Sequence, residues 1–261
     1  MKTQENNVLR FSDPQNRITL GKSAELNGGV REEFRAIKRH VLKNAFSNTR
    51  GDDFFEPLNR IMVTSIGDRA GKTFVAYNLA KSIADEQEKN VLLVDADVIN
   101  STLSRITEPQ AKEGLIDFLS DPEANISERI HHTERSNMRF MPTGRDHYLA
   151  NELFASQKMS SLMKEFSERY QDRLVIFDAP SLLDVNESVA LTSHMDQIII
   201  IVEEGKTKEK DIKKVLSRLP SHVKIHFILN KTLQGNGWRD NIHTANSTDN
   251  DESVHGSNPV A

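Results

Sequence analysis

The sequence predicts an α/β fold, a doubly wound and mostly parallel sheet with helices on both faces. Three observations predict it. Short runs of consecutive apolar residues, such as Val91-Leu92-Leu93-Val94 and Leu174-Val175-Ile176-Phe177, recur between segments of helical period. Apolar character without alternation means burial on both faces, as in a parallel strand inside a sandwich. Two of these runs end on aspartate and a third leads into Gly71-Lys72-Thr73, so polar chemistry gathers at one edge of the sheet.

In chain order, residues 1–28 are polar with scattered apolar positions and close on Gly28-Gly29, which reads as a flexible arm. Residues 29–231 read as one domain. Its opening segment, 29–46, has helical spacing: Phe34, Ile37, Val41 and Leu42 share one face, while Arg31, Arg35, Lys38 and Arg39 form a basic one. Residues 48–57 are a polar break. Strands are then expected over 61–63, 91–94, 138–141, 174–177, 197–202 and 225–229. A helix carries Val75, Leu79 and Ile83 at four-residue spacing, and a short helix covers 114–119. A long amphipathic helix is expected over 151–170, with two more over 187–194 and 208–219. Past Lys231, Asn, Ser, Thr, Asp and Gly dominate and Trp238 is the only aromatic, so 232–261 reads as a disordered polar tail.

Composition narrows the function classes. A chain of 261 residues holds one sizeable α/β domain with tails. A formal charge of −4 gives no overall pull toward nucleic acid, and none is expected as a partner. The absence of cysteine excludes disulfides and thiolate metal sites and fits a reducing compartment. The first seven residues have no apolar core, so no signal peptide is read there, and the longest aliphatic run, over 198–202, is too short to span a bilayer. A cytoplasmic chain is expected.

Three segments carry chemistry. The strand Ile61-Met62-Val63 leads into Gly67-Asp68-Arg69-Ala70-Gly71-Lys72-Thr73, with Phe74 following in the helix. A loop of this kind offers free backbone N–H groups and the positive end of a helix dipole to phosphate oxygens. Lys72 would reach the β and γ phosphates of ATP, and the Thr73 hydroxyl would bind Mg²⁺. A plain strand–turn–helix corner with a surface lysine is the alternative, and the usual first glycine of such a loop is here Ile66. Asp95-Ala96-Asp97 follows a second strand: one aspartate would order Mg²⁺ or its water and the other accept a proton from an attacking hydroxyl, unless both simply cap the loop. Asp178-Ala179-Pro180 ends a third strand, where an aspartate holds Mg²⁺ through water or serves as a helix N-cap. Asn230-Lys231, after the last strand, reads as an adenine contact or as a turn. His131-His132 and His194 show no convincing metal-ligand spacing.

Together these segments resemble the bacterial polysaccharide-associated tyrosine autokinases, cytoplasmic P-loop relatives of the deviant Walker ATPases MinD and ParA. The phosphate loop, Asp95-Ala96-Asp97 and Asp178-Ala179-Pro180 look like that family's Walker A, Walker A′ and Walker B motifs. The segment Glu32-Glu33-Phe34-Arg35-Ala36-Ile37-Lys38 resembles its E-x-x-R-x-x-R oligomerisation helix, with Lys38 at the second arginine. Pro142-Thr143-Gly144 followed by Asn151-Glu152-Leu153-Phe154-Ala155-Ser156 is similar to its P-x-G…E-L-L-x-S segment. Within the family the likeness points to the branch associated with the exosortase (XrtA) exopolysaccharide system.

The resemblance implies ATP and Mg²⁺ as cofactors, a homo-oligomer formed through the 29–46 helix, and an inner-membrane partner, a polysaccharide chain-length determinant or copolymerase. It implies a peripheral position at the inner membrane through that partner. Lys72, Asp95 and Asp97 would be catalytic, Thr73, Asp95 and Asp178 would face the metal, and Asn230 would complete the nucleotide site. The departures are specific. Asp68-Arg69-Ala70 stands where the family reads Pro-Gly-Glu, so Arg69 must adopt a backbone conformation in which glycine is freer. Ile99 replaces the Walker A′ arginine and Ser181 a second proline. Tyr77, Tyr148 and Tyr170 are the only tyrosines, so the 232–261 segment offers none to phosphorylate. The leading expectation is an ATP-dependent tyrosine kinase regulating exopolysaccharide synthesis. The alternatives are a catalytically weakened, ATP-gated oligomerisation partner of the copolymerase and a ParA/MinD-like ATPase. Gly67 argues against the last, since it stands at the position of those proteins' signature lysine.

Overall fold

The computed structural model describes residues 8–11, 28–46, 57–145, 149–183 and 186–232. The first elements are β1 (Arg10–Phe11), α1 (Gly28–Phe46), β2 (Arg60–Ser65), α2 (Lys72–Ala84) and β3 (Asn90–Asp95). A short stretch follows, with α3 (Thr102–Arg105), β4 (Thr107–Glu108), α4 (Leu115–Ser120), β5 (His131–His132) and β6 (Met138–Met141). The chain ends in α5 (Ala150–Phe154), α6 (Gln157–Arg169), β7 (Arg173–Asp178), α7 (Asn186–Thr192), β8 (Gln197–Glu203), α8 (Glu209–Leu216) and β9 (Lys224–Asn230). Seven strands make one sheet in the order β5-β6-β3-β7-β2-β8-β9, parallel throughout except for β5 at the edge.

The apolar runs explain the two layers. Successive strand side chains point to opposite faces. Ile61, Val63, Leu93 and Ile176 join a core with Phe34, Val41 and Leu79 of α1 and α2. Their neighbours Met62, Leu92, Val94, Val175 and Phe177 join a second core with Phe118, Phe154, Phe166 and Val215 from α4, α5, α6 and α8. Full burial of each large side chain contributes roughly 1.5–3 kcal/mol, so both faces must be covered for the sheet to persist. The crossing order puts β2, β7 and β3 side by side at the centre, which brings the ends of three predicted motifs together.

Several expectations need correcting. The single helix over 151–170 is two helices, because the Ser156 hydroxyl accepts the Met159 N–H at 3.1 Å and caps a new helix at that point. Within the expected N-terminal arm, Leu9 is buried and Arg10–Phe11 pairs antiparallel with Thr107–Glu108. Strands of two residues leave no periodic signal, so β1, β4 and β5 are found only in the structure. Lys38 does not belong to the exposed basic face. It is buried, donates to Ser82 O at 3.1 Å and pairs with Glu86 at 2.7 Å, fastening α1 to α2. Arg35 pairs with Glu32 one turn away in the same helix. Most of the expected arm, most of the 48–57 break and the 233–261 part of the tail lie outside the described residues.

Candidate functional site

The phosphate-loop segment turns from β2 into α2 through two left-handed residues. Gly71, the residue before α2, has φ 105° and Arg69 has φ 60°, the conformation its sequence made costly. No side chain caps α2, and the first intrahelical bond is Val75 N to Gly71 O. The amides of Lys72, Thr73 and Phe74 therefore have no helical acceptor and sit at the positive end of the dipole, a site suited to an anion. Phe74 turns its ring against Phe34 of α1, with ring centres 5.7 Å apart, so only its backbone belongs to the loop. Gly67 has open space around it. The Lys72 side chain is buried and its ammonium lies 3.4 Å from Asp68. Burial works upward on Asp68, but the Arg69 N–H and the Lys72 ammonium hold its carboxyl below the usual range.

The acidic motifs arrive from the neighbouring strands. In the sheet register Asp178 lies opposite Val63 of β2 on one side and Asp95 of β3 on the other. All three aspartates at this edge, Asp95, Asp97 and Asp178, are buried. Each has a different set of partners. Asp95 Oδ2 accepts the Ser104 N–H at 2.8 Å and the Ser104 hydroxyl at 2.7 Å, while Oδ1 accepts the Asp97 N–H. Burial pushes its carboxyl up to about 6, against the pull of Ser104, and the Asp97 charge adds to the rise. Asp97 accepts the N–H groups of Ile99 and Asn100 through Oδ1 and so shapes the turn after β3, on which Ile99 stands exposed. Neither oxygen of Asp178 has a hydrogen-bond partner. Burial raises its carboxyl well above the ordinary range, and the charges of Asp95 and Asp97 raise it further. The Thr73 hydroxyl, short of bonding geometry, and the Lys72 ammonium work against that rise.

A second set of residues holds this edge in shape, and of these Ser104 carried no functional signal in the sequence. Ser104 of α3 fixes Asp95, and Thr143 donates its hydroxyl to Asp95 O at 3.0 Å and its N–H to the Ser104 hydroxyl at 2.9 Å. Thr143 lies in the Pro142-Thr143-Gly144 segment, whose Gly144 has φ 91° and lies where a Cβ would collide with Asp117. Asp117 in turn accepts from Gly114 N and Arg145 N, at 2.9 and 3.1 Å. Asn230, the expected adenine contact, donates its side-chain amide to Ala70 O at 2.7 Å. Lys231 reaches Arg69 O at 2.7 Å.

The chemistry of this edge fits a divalent cation held with a phosphate. A buried carboxylate with two unpartnered oxygens costs folding free energy unless a cation neutralises it. Asp95 and Asp97 add negative charge around Asp178, against which the Lys72 ammonium works. Among the described residues no three histidine, aspartate or glutamate side chains form a complete metal cage by themselves. Mg²⁺ takes one or two carboxylates and completes its shell with water and phosphate oxygens, so Asp178 beside Thr73 is the part of this edge whose chemistry would suit it.

Comparison with known proteins bears on the family and the fold. A family model described as an AAA domain matches residues 61–234. The chain is 28% identical over 174 residues to the tyrosine-protein kinase ptk of Acinetobacter johnsonii, covering 66% of this chain and 23% of that protein. It is 28% identical over 177 residues to the succinoglycan biosynthesis transport protein ExoP of Rhizobium meliloti, covering 66% and 22%. The match thus spans about a quarter of the length of these curated relatives. The kinase domain of the Escherichia coli tyrosine kinase ETK has the same fold, with a TM-score of 0.62 and 22% identity over 80% of each chain. Among the described residues no helix is long and apolar enough to cross a membrane.

Proposed function

The chain belongs to the AAA domain family, and from that premise we propose that it is an ATP- and Mg²⁺-dependent protein-tyrosine kinase that regulates exopolysaccharide synthesis or export. The observation that carries this reading is the buried, unpartnered carboxylate of Asp178 beside Lys72, Thr73 and the free amides of α2. When bound, Mg²⁺ would supply positive charge that offsets the charge developing during transfer. The chain's own residues supply the rest. The amides of Lys72, Thr73 and Phe74 bind the phosphates, and the Lys72 ammonium turns from Asp68 to the transferring group. Thr73, Asp178 and Asp95 would hold the metal. Asp97 or Asp95 takes the proton of the acceptor hydroxyl; the raised carboxyl of Asp95 suits a proton acceptor at neutral pH.

The acceptor we infer is a tyrosine on another protein; of the chain's own three, Tyr148 lies outside the described residues. Tyr77 packs edge-on against Phe11 at 5.0 Å, and Tyr170 packs on Phe166 with Arg173 over its ring at 4.4 Å, so neither is presented as a substrate. The partner we infer is an inner-membrane chain-length determinant, with the kinase at the cytoplasmic side and affinity to the exosortase-associated branch. The names of the kinase and transport-protein relatives support the tie to tyrosine phosphorylation and polysaccharide biosynthesis, while the branch rests on the likeness of residues 33–39 and 172–180. Purified chain incubated with labelled ATP and Mg²⁺, with and without the partner's cytoplasmic segment, should transfer label to tyrosine. ATP binding with neither transfer nor hydrolysis would instead favour the ATP-gated switch, a reading the altered Asp68-Arg69-Ala70 loop supports. Absence of ATP binding removes both.

Self-association is assigned to the exposed side of α1, where Arg31, Arg35 and Arg39 stand at four-residue spacing. Because Arg35 is exposed and, among the described residues, pairs with Glu32 of its own helix, reversing its charge should leave the fold intact. Arg35→Glu is expected to lower the mass measured by light scattering to that of the monomer; an unchanged oligomer would place the contact on another surface.

A further inference from the structure

We propose that Lys231 and Asn230, at the end of β9, are positioning residues that hold the phosphate loop in its left-handed turn, a task that falls to glycine in the loop this one resembles. The left-handed conformation is unfavourable for any residue with a Cβ, so something must hold Arg69 there. Its own side chain does not: it is 87% exposed and comes no nearer than 3.8 Å to Asp68. The holding contacts come from across the fold. Lys231 donates to Arg69 O at 2.7 Å, and Asn230 donates to Ala70 O, also at 2.7 Å. The Asn230 amide also fills the space in which a Cβ on Gly71 would lie. Three consecutive loop residues are thus gripped by two consecutive residues of one strand end.

The grip is itself anchored. Lys231 pairs with Glu203 at 3.2 Å, and Glu203 also holds Lys206 at 3.3 Å. Glu204 N donates to Asn230 O at 3.1 Å, which continues the pairing of Asn230 with Glu203 in the β8–β9 register. Lys231 is left-handed as well, at φ 58°, a bend that turns its side chain back over the loop. An ordinary turn would leave these two side chains in solvent; here both end on main-chain carbonyls of the loop.

The nucleotide-binding arm of the test rests on the proposed function; the exchange arm does not. In the full-length protein, Lys231→Met should weaken binding of a fluorescent ATP analogue with Mg²⁺ by about five- to tenfold, the scale of one strained residue released. In an Arg69→Gly background the same substitution should change affinity by less than about twofold, because glycine adopts the turn unaided. Without nucleotide, amide hydrogen exchange over 68–73 should quicken in Lys231→Met and in the isosteric Asn230→Asp, which sets a carboxylate against the Ala70 carbonyl. An equal loss of affinity in both backgrounds overturns the proposal, since Lys231 would then act on the ligand itself. So does full affinity in Lys231→Met. If the wild-type chain binds no nucleotide the functional reading falls, and unchanged loop exchange in both variants then refutes the clasp separately.

Discussion

Lys72→Met is expected to lower phosphoryl transfer by about a hundredfold or more, the usual scale for removing one preorganised charge from a developing transition state. The reason lies in its surroundings. The Lys72 side chain is nearly closed off from solvent, with the Asp178 carboxylate among the groups that feel its charge. A charge held in a low-dielectric site acts far more strongly than one in water. Methionine keeps much of the length and the apolar stem of lysine, so the packing around position 72 should survive. Losing the ammonium leaves the buried carboxylates less compensated, which pushes Asp178 further toward its protonated form and weakens any grip on a cation. Transfer of label from ATP and equilibrium nucleotide binding, measured side by side, check this. Transfer at the wild-type rate would exclude Lys72 from the chemistry and return it to the role of a corner lysine.

How much of this was legible in the sequence follows from where each signal comes from. The central strands were legible because β2, β3, β7 and β8 are buried on both faces and so read as uninterrupted apolar runs. The motif aspartates were legible because each ends such a run. The break between α5 and α6 was harder: Ser156 fits an amphipathic helix by composition, and only its capping geometry ends one helix and starts the next. Lys38 was misplaced because a lysine can bury its stem and still carry its charge to an acceptor, here Ser82 O and Glu86. Ser104 left no functional sign, and the tasks of Thr143 and Lys231 stayed hidden, because each acts through contacts with residues 9, 48 and 162 positions away in the chain. Arg69 lies between these cases. Its cost was readable from the missing glycine, whereas the side chain that meets that cost became visible only across the fold.

Asp178→Asn is expected to separate folding from function, raising the stability of the ligand-free chain while abolishing its response to Mg²⁺. The buried carboxyl of Asp178 takes up its proton more readily in the folded than in the unfolded chain. For an acid shifted in this direction, the stabilising contribution is fully present below the unfolded pKa. It is lost as pH rises through the folded pKa, and the penalty then persists at higher pH. Burial shifts the neighbouring Asp95 carboxyl in the same direction, up to about 6. An amide at 178 carries no charge at any of these pH values and so escapes the repulsion of Asp95 and Asp97. At pH 8 the melting temperature of the variant should therefore exceed that of the wild type by several degrees, at roughly 2–4 °C per kcal/mol for a domain of this size. The difference should shrink as pH falls toward 4, where the wild-type carboxyl is neutral. Adding ATP with Mg²⁺ should reverse the order, because the wild type gains stability by binding and the variant has lost an oxygen that would hold the metal. Calorimetric melts across pH, with and without Mg²⁺-ATP, read both effects. A variant no more stable than wild type at pH 8, or one still stabilised equally by Mg²⁺-ATP, would show that Asp178 is neither the strained group nor the metal-facing one.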